Sequence, residues 1–224
     1  MVAIAGVSGN GQSELLEILS GMRLPTSGKV EFLGQELPYA GRANADGLPA
    51  AFRKLGIGHV PEDRLRDGVI KDFSVVQNTV FGYEDRVRNR WGLFDFDAIG
   101  KRCAHLLQAF DVRPNNPDLR IGLLSGGNQQ KVVLAMSLAI APRVLLLDEP
   151  TRGVDVTTKA EIYRLIRERA AAGCAVLVVS SELPEILGLC DRIVVLHEGR
   201  IAGRFDHGTT TEEALLHVCY GRTT

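Results

Sequence analysis

A chain of 224 residues, with 26 Lys plus Arg against 27 Asp plus Glu and a formal charge of -1, is long enough to bury a real core. It suits one large domain, or one domain with a subdomain. The charge balance gives no overall electrostatic reason to expect nucleic acid as a partner. The longest apolar stretch, residues 132–141, is about half of a bilayer-spanning helix and runs into Pro142-Arg143, so it predicts a buried helix rather than a membrane segment. Met1-Val2-Ala3-Ile4-Ala5 lacks the basic start and long apolar region of a signal peptide. Cys103, Cys174, Cys190 and Cys219 show no C-x-x-C spacing, which fits buried thiols in a reduced, cytosolic setting.

In chain order, an apolar strand at residues 2–5 runs directly into Gly6-Val7-Ser8-Gly9-Asn10-Gly11-Gln12-Ser13. Helical spacing of Leu15, Leu16 and Leu19 predicts a helix over residues 12–21. Strand, glycine loop and helix form the context of a phosphate-binding P-loop, whose small residues let backbone N–H groups curl around phosphate oxygens at a helix N-terminus. The lysine of that loop type is missing. Gln12 stands in its place and keeps a donor without the charge, and Glu14 follows where a second hydroxyl residue is common. A turn at Thr26-Ser27-Gly28, a strand at residues 29–32 and a second turn at Leu33-Gly34-Gln35 predict small antiparallel strands. Residues 57–61 read as a short strand, and Glu62-Asp63-Arg64-Leu65-Arg66-Asp67-Gly68 as an exposed loop.

From residue 73 to about 120 the pattern becomes helical, with helices expected at 74–81 and 97–110 and a polar, aromatic insert around Arg88-Asn89-Arg90-Trp91. Trp91, Phe94 and Phe96 are expected to pack this subdomain. Apolar runs at 144–147, 175–179 and 193–196 are separated by helical stretches such as 159–171, which suits parallel strands buried on both faces of an α/β fold. Thr158-Lys159-Ala160-Glu161 predicts a capping box at the start of that helix. His59, His105, His197, His207 and His217 show no metal-ligand spacing.

Two further motifs carry chemistry. Val144-Leu145-Leu146-Leu147-Asp148-Glu149-Pro150 is an apolar strand that ends in two carboxylates. Asp148 is thereby placed as a hard oxygen ligand for Mg²⁺, and Glu149 as the group that orients or deprotonates an attacking water. Acids at strand ends also serve as helix caps or turn residues. Leu124-Ser125-Gly126-Gly127-Asn128-Gln129-Gln130-Lys131 opens a helix with bare N–H groups and a hydroxyl, a second anion cradle. Two cradles in one chain are accounted for by a site shared across two domains, each supplying one cradle to the other's nucleotide.

Taken together, these motifs resemble the nucleotide-binding domains of ABC transporters over nearly the whole chain. The carriers are Leu-Ser-Gly-Gly, the Leu-Leu-Asp-Glu-Pro strand and Thr151-Arg152-Gly153-Val154-Asp155, which is similar to the family's D-loop. The segments Gly9-Asn10-Gly11-Gln12-Ser13-Glu14-Leu15, Val60-Pro61-Glu62-Asp63-Arg64 and Ser180-Ser181-Glu182-Leu183-Pro184-Glu185 sharpen the resemblance. They point to the carboxy-terminal half of the double ATPase subunits of bacterial sugar and nucleoside importers. The resemblance implies a P-loop NTPase with a RecA-like α/β core, a small antiparallel β subdomain and a helical signature subdomain at 73–120. It also implies that residues 1–224 are a fragment of a longer double-domain subunit, beginning inside its domain and without the upstream aromatic that stacks on adenine.

By the same resemblance the ligands are ATP and Mg²⁺. Ser8, Gly9, Asn10, Gly11, Gln12, Ser13 and Glu14 would hold nucleotide, and Ser125, Gly126, Gly127 and Gln129 would face the partner's nucleotide. Ser13, Glu62 and Asp148 would serve the metal, and Glu149 and Ser181 would be the catalytic pair. The implied partners are a second ABC ATPase domain, the amino-terminal half of the same subunit, and an integral membrane permease whose helix meets the 62–66 loop and helical subdomain. Location would be peripheral, on the cytoplasmic face of the membrane. The family's active site carries lysine at Gln12, glutamine at Glu62 and histidine at Ser181, so the site on this P-loop is expected to be slow or inert. A charge-assisted hydrogen bond contributes about 1.5–3 kcal/mol, and one lost transition-state donor costs ~10²–10³ in rate. The competing readings are a non-hydrolysing module that binds ATP only to hold a pair of domains together, and a soluble ABC protein of translation or DNA repair. Neutral charge and the absence of zinc-type cysteines and long heptads disfavour the last.

Overall fold

The computed structural model describes residues 1–39, 44–84, 87–88 and 91–222. The expected insert at Asn89-Arg90 lies outside the described residues. The chain divides into two compact units. The first comprises Met1–His59, Pro142–Glu149 and Arg167–Thr224, and the second Val60–Ala141 and Pro150–Ile166. The helical stretch expected at 73–120 lies within the second unit, whose bounds are wider because the signature helix and the segment after Pro150 belong to it.

In the first unit the apolar runs form a six-stranded sheet. Its strands are β1 (Val2–Ala5), β4 (Ile57–Val60), β5 (Val144–Asp148), β6 (Ala175–Val179), β7 (Arg192–His197) and β8 (Arg200–Asp206), in the order β4-β5-β6-β1-β7-β8. β1 pairs parallel with β6 and β7, β5 pairs parallel with β6, and β8 pairs antiparallel with β7. Ala3, Ala5, Leu145, Leu147 and Val178 are wholly buried. That is why β1, β5 and β6 read as continuous apolar runs instead of alternating ones. The register decides where the chemistry sits. Ile4 lies beside Val179, and Val179 beside Asp148. The carboxyl ends of β1, β5 and β6 are therefore level, and Gly6, Glu149 and Ser180 leave the sheet along one edge, where ligands bind in open α/β sheets.

Helix α1 (Gln12–Ser20) ends at Gly21, whose φ of 81° makes the left-handed C-cap. Its Leu16 joins Ile4, Leu146, Val179 and Leu196 in a core completed by Tyr39, Leu48 and Phe52. Leu48 and Phe52 belong to α2 (Leu48–Leu55), a helix that the sequence reading did not contain. Tyr39 meets Phe52 edge to face with ring centroids 5.4 Å apart. Burying each such side chain contributes about 1.5–3 kcal/mol. The expected small strands are β2 (Glu31–Phe32) and β3 (Gln35–Glu36), an antiparallel pair. Leu33 and Gly34, both at positive φ (53° and 76°), make the two-residue turn between them.

In the second unit, α3 (Val75–Val80) opens on a Ser74–Gln77 capping box, and α4 (Phe96–Ala109) is capped by Asp95. α5 (Gly126–Leu138) is buried on nearly every side after its first turn: from Val132 on it is almost wholly apolar, and the buried Gln130 and Lys131 donate to the Pro150 and Asp111 carbonyls. Helix α6 (Val156–Ala171) corrects the expected capping box. The helix begins before Thr158, and the carboxylate of Asp155 accepts from the Thr158 amide (3.0 Å) and hydroxyl (2.8 Å), so Asp155 is the cap. A second correction concerns the aromatics. Trp91 is 73% and Phe96 78% exposed, so they cover solvent-facing surface instead of packing the subdomain. Phe94 contacts Phe96 and lies under Arg88. No helix among the described residues is long and apolar enough to cross a membrane.

Candidate functional site

The loop between β1 and α1 has the backbone of a phosphate cradle. Gly9 and Gly11 adopt φ of 88° and 100°, values that disfavour side chains, and nothing lies within 4 Å of a Cβ built on Gly9. The face of the loop at Gly9 is therefore open to a ligand. Ser8, Ser13 and Glu14 are exposed around it. Asn10 is committed elsewhere: its Oδ1 accepts from the Glu198 amide at 2.8 Å, and its carbonyl accepts from the Gly199 amide at 3.3 Å. The β7–β8 turn thus ties down the loop, a role the sequence did not disclose.

Gln12 is 6% exposed and its Nε2 donates to the Val7 carbonyl at 3.2 Å. A Cβ built on Gly6 would lie 2.3 Å from that Nε2 and 2.6 Å from the Leu196 carbonyl oxygen. The amide is folded back into the loop and fills the space beside Gly6. A neutral, internally bonded group therefore occupies the position where a P-loop carries its cation.

Two carboxylates stand at the end of β5. Asp148 is 8% exposed, and burial, then the nearby Glu149 and Glu17 carboxylates, push its pKa up to about 6. Glu149 is also raised, chiefly by burial, against the opposing hydrogen bonds from Ser181. Its φ of 46° is unusual for a non-glycine residue. Glu149 Oε1 accepts from the Ser181 amide at 2.6 Å, and the Ser181 hydroxyl also bonds the carboxylate. Behind Ser181, the Ser180 hydroxyl donates to the buried Glu185 carboxylate and accepts from the Glu182 amide at 3.1 Å. The register thus brings Gln12's loop, Asp148, Glu149 and Ser181 to one edge of the first unit. Ser125, Gly126, Gly127, Gln129 and Glu62 belong to the second.

In the second unit the exposed Ser125 caps α5, and its Oγ accepts from the Asn128 amide (3.4 Å) and side chain (2.9 Å). With both bonds accepted, the hydroxyl proton is free to meet an anion. Gln129 points inward. It is 7% exposed, donates to the carbonyls of Ile121 (3.2 Å) and Leu124 (3.0 Å), and accepts from Arg64 Nε at 3.2 Å. Its amide braces the start of α5, so Asn128 and not Gln129 stands beside Ser125. A Cβ on Gly127 would sit 3.0 Å from Thr158 Oγ1, and one on Gly126 2.7 Å from Arg64 Nη2. These glycines thus serve close packing as well as any ligand. Glu62, expected at the metal, is ion-paired with Arg152. No spacing rule links those two residues.

Residues 1–152 match the family model described as ABC transporter. The chain belongs to the ABC transporter family. This ABC cassette is 44% identical over 221 residues to the ribose import ATP-binding protein RbsA of Chromobacterium violaceum, covering 99% of the chain and 42% of that protein. It is 40% identical to a putative ribose/galactose/methyl galactoside import ATP-binding protein of Agrobacterium fabrum, covering 99% and 43%. The cassette therefore spans less than half the length of these curated relatives. Among solved structures, it matches a dimeric ATP-binding cassette in a post-hydrolysis state bound to ADP and Pi with a TM-score of 0.79. Identity there is 24%, over 94% of this chain and 86% of that one. It also matches cbiO1 of Clostridium perfringens, part of an ABC transporter complex, with a TM-score of 0.73 and 26% identity over 96% and 80%. The fold is that of a P-loop ABC ATPase, and a nucleotide is its family ligand.

The donor set also fits Mg²⁺. Asp148 lies in a field of carboxylates that a divalent cation would relieve, and Ser13 is exposed on the first turn of α1. Among the described residues no group of three or more His, Cys, Asp or Glu could hold a metal by itself. Mg²⁺ bound here would rely on phosphate oxygens and water, its usual habit.

Proposed function

We propose that this cassette is the carboxy-terminal ATP-binding half of a double ATPase subunit that energises import of a simple sugar or nucleoside. In this reading its own P-loop is impaired, and its signature residues complete the ATP site of the amino-terminal half. The observation that carries the proposal is the pairing of a buried, neutral Gln12 bonded to Val7 with an exposed Ser125 at the start of α5. The named relatives are ribose and galactoside import proteins, and they support the sugar class.

At its own loop the cassette binds phosphate through backbone N–H groups, without the cation that stabilises charge on the transferring group. Mg²⁺, when bound, neutralises charge on the β and γ oxygens. Asp148 and Ser13 would hold it. Glu149 is shared with Ser181, which lacks the imidazole that reads the γ-phosphate in the family's active sites. At the partner's site, Ser125 donates its hydroxyl proton to a phosphate oxygen, and the N-terminal amides of α5 supply positive potential. A membrane permease receives the work, with the subunit peripheral on the cytoplasmic face.

Mixing the cassette with a lysine-containing amino-terminal half should raise ATP hydrolysis well above either alone, and Ser125→Arg should abolish the gain. If the mixture hydrolyses no faster than its parts, the cassette is a nucleotide-dependent dimerisation module instead.

A further inference from the structure

Three loops of the second unit meet at one side chain. Arg64, half-buried at the start of a π-helical turn (Arg64–Gly68), donates from Nε to Gln129 Oε1 at 3.2 Å and from Nη1 to the Arg152 carbonyl at 3.3 Å. Its Nη2 lies against Gly126, where an added Cβ would come within 2.7 Å of it and 3.3 Å of the Gly153 carbonyl. Gln129 in turn holds the Ile121 and Leu124 carbonyls ahead of Ser125. The Arg152 guanidinium reaches back to Glu62, two residues before Arg64. The turn itself is fixed by Asp63, whose Oδ1 accepts from the Leu65 and Arg66 amides at 3.0 and 3.1 Å.

We infer that Arg64 is a positioning residue for the signature half-site, and that Glu62 serves it as the anion of a clasp with Arg152 rather than as a metal ligand. The planar guanidinium has several donors in fixed directions. One side chain thereby sets the spacing between the start of α5 and the Arg152-Gly153 loop. The glutamate at 62 and the arginine at 152 are then a matched pair, and the departure at 62 is compensated within the unit. The Glu62–Arg152 pair is solvent-exposed, with side chains 42% and 64% accessible. Exposed pairs contribute at most about 1 kcal/mol to stability, so breaking it leaves the fold intact while freeing the loop. Misplacing a catalytic donor by about 1 Å costs on the order of a hundredfold in rate.

The inference rests on the proposed role of Ser125 at a partner site, and the test separates the two. In the full-length subunit, steady-state ATP hydrolysis is measured for Ser125→Arg, Arg64→Ala, Arg64→Lys, Glu62→Arg, Arg152→Glu and the double variant Glu62→Arg/Arg152→Glu. Binding of a fluorescent ATP analogue to the Gln12 loop and thermal unfolding are followed in parallel. Arg64→Ala and Arg64→Lys should both lower kcat about ten- to a hundredfold with analogue binding at the Gln12 loop unchanged. Each charge reversal alone should lower it severalfold, and the double variant should recover most of the wild-type rate. A metal ligand at 62 predicts no recovery, because arginine cannot replace it, and that result would overturn the clasp. Wild-type rates in both Arg64 variants would overturn the positioning role while Ser125→Arg remains inactive. A silent Ser125→Arg would remove the half-site reading and this inference with it.

Discussion

Replacing Asp148 by asparagine should make the metal-free chain more stable near neutral pH, although the residue belongs to the candidate site. In the fold its carboxyl titrates at about 6 instead of 3.8, because burial and the Glu149 and Glu17 charges disfavour ionisation. Each tenfold change in acidity corresponds to ~1.4 kcal/mol, which sets a ceiling of about 3 kcal/mol on the penalty for charging it. The carboxyl keeps some contact with water, and screening reduces the figure to about 1–2 kcal/mol. The folded state binds this proton more tightly than the unfolded chain. The penalty is therefore full above about pH 7, shrinks as pH falls through 6, and is gone near pH 4. Urea unfolding in the presence of a chelator should show Asp148→Asn more stable than wild type by about 1–2 kcal/mol at about pH 8. The two chains should converge at about pH 4. An Asp148→Asn variant that is equally or less stable at the higher pH, or a gap that does not close on acidification, would refute the electrostatic account of this edge.

Three further outcomes follow from the same geometry. Gln12→Lys should strengthen ATP binding at this loop about tenfold in equilibrium dialysis, the difference between a neutral and a charge-assisted hydrogen bond. Gly6→Ala should destabilise the chain by about 1–3 kcal/mol in urea titration, because the new Cβ meets the Leu196 carbonyl as well as the buried Gln12 amide. Leu146→Ala, at a site 2% exposed in the core, should cost about 2–5 kcal/mol in the same assay at any pH where the chain folds.

The sheet was legible because its inner strands are buried on both faces, so Leu145-Leu146-Leu147 and Val176-Leu177-Val178-Val179 declare themselves by composition. Edge and capping elements were not. In β8, charged residues and glycine interrupt the apolar run at Arg200, Gly203, Arg204 and Asp206, and α2 and the last helix, Glu212–Cys219, are eight residues each. Short helices of that kind are held by tertiary packing more than by propensity. Candidate site residues stood out by type, since glycine loops, a strand ending in carboxylates and Ser-Gly-Gly each carry local chemistry. Their partners were not, because those bonds cross long stretches of chain: Asn10 to Glu198, Glu62 to Arg152, Arg64 to Gln129. The inward-turned Gln129 is met by distant Arg64, whereas the Gln12 amide folds back onto its own loop at Val7.

The proposed asymmetry between an impaired loop and a serviceable signature is tested most directly in the full-length subunit by comparing ATP hydrolysis of Ser125→Arg with that of Gln12→Ala. The account predicts that Ser125→Arg abolishes turnover, whereas Gln12→Ala leaves it within about twofold of wild type, since Gln12 adds no charge-assisted bond to lose. Loss of turnover in Gln12→Ala with Ser125→Arg fully active would contradict it.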